Sequence, residues 1–329
     1  KILVNLTPDF PHKDVFHSLE AGLLKGQILG VLRAIKRNPN IQFALAEQEF
    51  LIRFTLSGDT AFLSFDPPDA QEKYPFKRDN LLVRAWTDHP DIVYQLRHEF
   101  NTKWEELDPQ WRTDHEKGRQ NVVNFLVTEP LKVLLEANVP GQELWPFTCE
   151  LIECAAYLDA ESFIREVYTH EQVAKKMFVF SNTLPLITVP ADIGHWEPRS
   201  SIRTRQILLQ ALLQEMRSIR LIIPQKTCES YWETGQYEVY KFTREWISQH
   251  FHYLHDLLFK FPDKLTLEII QQQEPFPVNF EVINGEWVVL QKNGITSDGG
   301  VIFHDNELAK KLIAYIERNL LSNRPQQLN

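Results

Sequence analysis

Two proline-stopped amphipathic helices constrain this chain more than any other feature. Residues 19–39, LEAGLLKGQILGVLRAIKRNP, carry Leu24, Ile28, Val31 and Ile35 in steps of four, three and four, then meet Pro39. Residues 244–262, REWISQHFHYLHDLLFKFP, carry Ile247, Phe251, Leu254 and Leu258 in the same steps, then meet Pro262. Such spacing lines one helix face with apolar groups, and a proline, lacking an N–H, ends the helix.

The likeness continues downstream. After Pro39, IQFALAEQEFLIRFTLSGDTAFLSF reads as a strand and then a hairpin turning near Ser57-Gly58-Asp59. After Pro262, LTLEII and FPVNFEVINGEWVVLQ repeat that outline, turning near Asn284-Gly285-Glu286. Alternating apolar residues around a GD or NG turn are a hairpin signal. A short strand follows in each case, LLVRAW at 81–86 and GVIFH at 300–304. Each copy closes on a helix. Ile92, Leu96, Phe100 and Trp104 mark the face of the first, and Leu308, Leu312, Ile316 and Leu320 that of the second. Asp88 and Asp305 are the expected N-caps. The strands ILVNLTP and IRLIIP open the two copies, ending at Pro8 and Pro224.

The expectation is an α/β fold built from a duplicated strand–helix–strands–helix unit around a mixed sheet. It places a first copy at 1–107, a mainly helical middle at 108–216 and a second copy at 217–329. The middle contains NVVNFLVTEPLKVLLEA, a long pattern over 143–180 and SSIRTRQILLQALLQEM, with a proline-rich connection at 183–198.

A net charge of −9 gives the chain no global attraction for nucleic acid or anionic membrane. No uncharged apolar run approaches the ~18 residues of a membrane span. Cys149, Cys154 and Cys228 include no CxxC pair. Cys149 and Cys154 fall on different sides of one helix, so the thiols read as buried, free and cytoplasmic.

His250, His252 and His255 crowd six residues, but helical geometry spreads them over different faces: His252 points outward, and the other two flank the apolar stripe. No HExxH or Cys/His set supplies further ligands, so no metal and no cofactor are expected. HEKGRQNV at 115–122 has the His115 and Lys117 of an HxK phosphodiesterase motif, yet Val122 stands where the chemistry needs Asp. A second such motif is absent from the C-terminal copy. GxSxG, GxGxxG and P-loop patterns are absent too.

Polar and aromatic residues at strand exits are the best binding candidates. Arg84, Trp86 and His89 surround one exit, and His304 with Asp305 the other. Helix starts follow both, and helix N-termini favour anions. Arg199 and Arg203, beside Ser200 and Ser201, form a further candidate anion site.

The segments RTRQILLQALLQEMRSIRLIIP, ETGQYEVYKFTREWISQHFHYLHDLLFKFP and GGVIFHDNELAKKLIAYIE together resemble the C-terminal region of bacterial Xre-type helix-turn-helix regulators. That resemblance implies a duplicated α/β region, similar to phospholipase D-like domains without their catalytic residues. It covers 200–320 best. It further implies a non-catalytic sensory or oligomerisation module that binds a small effector or partner protein and forms a homodimer through the helical middle and end helices. The chain opens on Lys1 rather than Met, so a DNA-binding domain is expected upstream, with any DNA contact confined to it. The competing expectations are a phosphodiesterase-like or other hydrolytic enzyme using His115 and Lys117 or the strand-exit cluster, and a protein-interaction scaffold.

Overall fold

In the computed structural model the described residues are 1–5, 19–38, 40–46, 52–65, 83–156, 159–182, 213–215, 217–237, 240–271, 277–292 and 300–321. They form mixed α/β structure in two compact units, one of residues 1–12 with 37–123, the other of 13–36 with 124–329.

In the first unit, β1 (Ile2–Asn5) pairs in parallel with β2 (Phe43–Ala46). β3 (Ile52–Ser57), β4 (Thr60–Phe65) and β5 (Val83–Thr87) make an antiparallel three-stranded sheet. Helix α2 (Pro90–Glu106) packs on one face of it, Phe100 meeting Phe54 edge-on at 6.2 Å. The apolar side of α2 runs through Val93 and Trp104, both buried, whereas Ile92 is exposed. That corrects the expected face. Steps of four advance a helix by 40° each, so Ile92 lies about 120° from Trp104, while Val93 lies within about 20° of it.

Arg112 anchors the segment after α2. Its guanidinium forms a two-pronged bond to Asp114, at 3.1 and 2.6 Å, and donates to the Trp104 carbonyl at 3.0 Å. Thr113 is zipped to β2: its N–H donates to the Phe43 carbonyl at 2.8 Å, and its hydroxyl accepts the Phe43 N–H at 2.7 Å.

The second unit is built on a six-stranded mixed sheet in the order β10-β7-β6-β11-β12-β13. The strands are β6 (Lys176–Phe180), β7 (Ser218–Pro224), β10 (Leu265–Ile270), β11 (Val278–Ile283), β12 (Trp287–Lys292) and β13 (Gly300–His304). β10, β7 and β6 are mutually parallel, and β11–β13 form an antiparallel meander attached to β6. Between β7 and β10 the chain runs through α6 (Gln225–Thr234), the ribbon β8–β9 (Gln236–Tyr237, Tyr240–Lys241) and α7 (Arg244–Lys260).

Both sheet faces are covered. On one, Phe163, Ile164 and Val167 of α5 (Ala160–Glu171), with Leu257 of α7, join Ile219, Leu221, Ile283, Val289 and Ile302 in one apolar cluster. Gly300 admits this approach, since a Cβ there would sit 2.5 Å from the Phe163 ring. On the other face, Trp145 of α4 (Gly141–Ala155) stacks on Phe280 at 6.4 Å and meets Tyr315 of α8 (Asn306–Ile316) edge-on at 5.7 Å. Helix α1 (Leu19–Arg37) lies against α4, with Lys36 donating to the Glu153 carbonyl at 2.7 Å. α3 (Glu116–Glu136) is tied to α8 by Lys311–Glu136 at 2.9 Å.

The chain between the two expected copies is therefore not all helix. Its α3, α4 and α5 lead into β6, which is the bridge between the parallel and antiparallel halves of the large sheet.

Candidate functional site

Gly58 adopts φ +58°, which supplies the primed turn of a two-residue hairpin and pairs Ser57 with Thr60. Strand pairing then fixes the rest: Thr55 lies opposite Phe62, and Phe62 opposite Trp86. Arg97 of α2 holds the turn by donating to the Gly58 carbonyl at 2.5 Å. Because side chains alternate, Phe54 and Leu63 face α2, whereas Thr55, Phe62 and Trp86 form a row on the opposite face. There Phe62 is 52% and Trp86 68% exposed. The next row in the register is Arg53, Ser64 and Arg84.

At the exit of β5, the N-cap of α2 is His89, not Asp88. Pro90 at the first helical position sets the boundary one residue later than expected. His89 is exposed and makes no side-chain cap, although its N–H donates to the Thr87 hydroxyl at 3.1 Å. Asp88 is exposed beside it.

The exit of β13 is arranged differently. Asp305 caps α8, accepting from the N–H groups of Glu307 at 3.1 Å and Leu308 at 2.9 Å. Its other oxygen meets Lys132 at 2.8 Å, and Lys132 also binds Glu129 at 2.7 Å. Burial pulls the Lys132 pKa down, but the bonds to Asp305 and Glu129 outweigh it and raise the pKa above its usual value. This helix start is already filled by its own carboxylate. An external anion would have to displace Asp305 and approach Glu307.

His304 turns away from that pair to join an aromatic stack. Its ring lies 4.7 Å from Trp287, its partner in the strand register, and His170 of α5 lies 3.7 Å from Trp287 on a stacked ring. Glu286 is 3.9 Å from the His304 Nε2. Burial, helped by the charge of His304, lowers the pKa of His170.

The remaining candidates separate. The backbone of Arg84 lies in β5, while Arg199 and Arg203 fall outside the described residues. His115 and Lys117 are exposed at the start of α3, and Val122 is fully buried. His250 is buried, while His252 and His255 are exposed. No group of three or more metal-competent side chains occurs among the described residues. Cys149 and Cys154 are buried free thiols and Cys228 is half-buried; burial raises the pKa of Cys149 and Cys228. No described helix is long and apolar enough to cross a membrane.

Two parts of this picture escaped the sequence reading. Phe62 could have been found by counting from the Gly58-Asp59 turn, which sets it opposite Thr55. The approach of His170 to Trp287 had no local signal, because it joins α5 to a strand far along the chain. No protein-family model matches this chain, and no curated protein matches it.

Proposed function

We propose that this chain is a duplicated, non-catalytic binding module and serves as the sensory or oligomerisation region of an intracellular bacterial regulator. In each half two parallel strands flank a helical connection in the chain: β1 and β2 in one, β7 and β10 in the other. An antiparallel meander follows in each, β3–β5 and β11–β13, and then a helix, α2 or α8. This common order supports duplication and the phospholipase D-like outline.

The observation that carries a binding role is the exposed Phe62–Trp86 pair. In the second unit the corresponding meander face is packed by α5, through Phe163, Ile164 and Val167. In the first, two large aromatics lie on an ordered strand row facing solvent. Contiguous exposed aromatic surface marks interaction sites. A flat sheet face suits a macromolecular partner better than an enclosed small molecule, and small ligands prefer concave sites. The regulatory setting, with DNA contacts in a domain upstream of Lys1, comes from the sequence resemblance.

Two measurements test this reading. The reading frame upstream of Lys1 is expected to encode a helix-turn-helix domain; a frame without any DNA-binding domain overturns the regulator. The purified chain is expected not to hydrolyse bis(p-nitrophenyl) phosphate. Turnover that is lost in a His115→Ala, Lys117→Ala double variant would make it an enzyme instead.

A further inference from the structure

We propose that Asn284 is a deamidation site gated by the fold, closed in the folded chain and open whenever the β11–β12 hairpin detaches from β6. The proposal goes beyond the binding-module reading and stands on the second unit alone.

Asn284 is followed by Gly285, and a glycine leaves its own nitrogen unshielded by any side chain. That nitrogen can attack Cγ of Asn284. The Cγ–Nδ2 bond then breaks, and ammonia leaves with the proton of the attacking amide. Water opens the resulting succinimide at one carbonyl or the other, giving aspartate or isoaspartate. Water is the sole co-reactant, and Asn284 is exposed to it.

Two locks hold the folded pair unreactive. The first is the turn. Asn284 at φ +56° and Gly285 at φ +74°, with the Glu286 N–H donating to the Ile283 carbonyl at 3.0 Å, make a type I′ turn. In such a turn ψ of the first central residue is about +30°, which swings the next nitrogen about 150° away from Cβ around the Cα–C bond. A five-membered ring needs the two nearly eclipsed. The second lock is the side chain. Its Oδ1 accepts the N–H groups of Lys175 at 2.7 Å and Lys176 at 3.2 Å, while the Asn284 N–H donates to the Lys176 carbonyl at 2.8 Å. Cyclisation has to undo the turn and release Oδ1 from both donors.

These bonds lie at the seam where β11 joins β6, with Ile283 paired to Met177. The two products differ there. Aspartate keeps an oxygen in the place of Oδ1 and closes on the same two N–H groups. Isoaspartate carries the main chain through Cβ and Cγ, so the carbonyl that held Lys175 and Lys176 becomes part of the backbone. It lengthens the turn by one atom and loses the clamp. Each detachment of the hairpin therefore exposes the sheet to a permanent break between its parallel and antiparallel halves. The working life of the chain then follows how often that seam opens.

Peptide mass spectrometry that separates asparagine, aspartate and isoaspartate at 284 reads this directly. The intact chain is aged at mildly alkaline pH, folded in buffer and unfolded in guanidinium chloride. Asn293→Ser is introduced throughout to remove the other Asn-Gly pair of the chain. Residue 284 should react at least about tenfold more slowly in the folded chain, since the turn and two hydrogen bonds must first be lost. Chains aged unfolded and then refolded with isoaspartate at 284 should unfold at a lower denaturant concentration than an Asn284→Asp variant. Equal rates in the folded and unfolded chain overturn the gate. Isoaspartyl chains as stable as Asn284→Asp overturn the permanent break. Neither result bears on the binding-module reading, which keeps its own tests in the upstream reading frame and the phosphodiester assay.

Discussion

His250 Nδ1 lies 3.0 Å from the hydroxyl of Tyr231, and both side chains are buried, His250 completely. The pair joins α7 to α6 inside a cluster with Ile223, Phe242, Ile247 and Leu254. Removing the phenol oxygen by Tyr231→Phe should cost about 1–2 kcal/mol, the usual effect of breaking one buried hydrogen bond. His250→Ala should cost about 3 kcal/mol, since it leaves a cavity as well. Urea unfolding of both variants checks the order.

The same phenol makes a pH prediction. Burial raises the pKa of Tyr231 above that of an exposed tyrosine. The unfolded chain therefore releases this proton before the folded one does. Stability owed to Tyr231 is full below about pH 10 and declines as pH rises beyond it. Tyr231→Phe should show a shallower alkaline branch than the parent, despite its lower stability at neutral pH. Parallel alkaline branches in a denaturation series would sink this.

Arg112 and Asp114 make the opposite case. The bond to Arg112 lowers the pKa of Asp114 below its usual range, even though burial pushes the other way. A carboxylate with a depressed folded pKa contributes stability above its unfolded value, near pH 3.9, and loses it as pH falls through the folded value. Arg112→Ala should cost about 2 kcal/mol at pH 7, because it leaves the half-buried Asp114 carboxylate without its guanidinium and the Trp104 carbonyl without its donor. Asp114→Asn should flatten the acid branch below the ordinary carboxylate value, near pH 3.9. Equal acid slopes for parent and Asp114→Asn would refute the assignment.

Asn284 holds the hairpin of β11 and β12 to the start of β6. Its backbone sits at φ +56°, and its side-chain oxygen accepts the N–H groups of Lys175 at 2.7 Å and Lys176 at 3.2 Å. Asn284→Ala loses both bonds and strains the backbone, so a cost of about 2–3 kcal/mol is expected. Asn284→Gly should recover about 1 kcal/mol of that, because glycine adopts positive φ freely. If Gly and Ala prove equally destabilising, the strain component is absent.

Much of this architecture could be read from residue spacing, and the failures share a cause. The stripe of α7, both hairpin turns and the Asp305 cap are local, set by neighbours within a few residues, whereas the α2 stripe drifts because steps of four do not keep one face. β6 falls inside the long 143–180 pattern because MFVF is a continuous apolar run, as expected of a strand covered on both sides, and carries no alternation to mark it. His250 borders its stripe in the sequence, yet it lies only about 40° from Leu254 around the helix, and the bond to Tyr231 makes its burial tolerable. The Thr55–Phe62 register follows from the turn. The Phe62–Trp86 register does not, because residues 66–82 separate β4 from β5 and leave the pairing to tertiary structure.

The His170–Trp287–His304 stack offers the last test. Burial is the larger cause holding down the pKa of His170, and the charge of His304 adds to it. His170 is therefore neutral in the fold at pH values where the unfolded chain binds a proton. Its contribution to stability is full above the ordinary imidazole value, near pH 6.5, and is lost as pH falls below it. His304→Gln removes the neighbouring charge and leaves burial in place. NMR titration of the His170 ring should show its pKa rising part of the way toward the ordinary value. His170→Gln should remove the associated loss of stability below pH 6, within the window set by that depressed imidazole. Trp287 fluorescence, which imidazolium quenches on contact, gives a second readout: its acid-induced quenching should shift to higher pH in His304→Gln. A His170 pKa that stays fixed in that variant would leave burial as the sole cause.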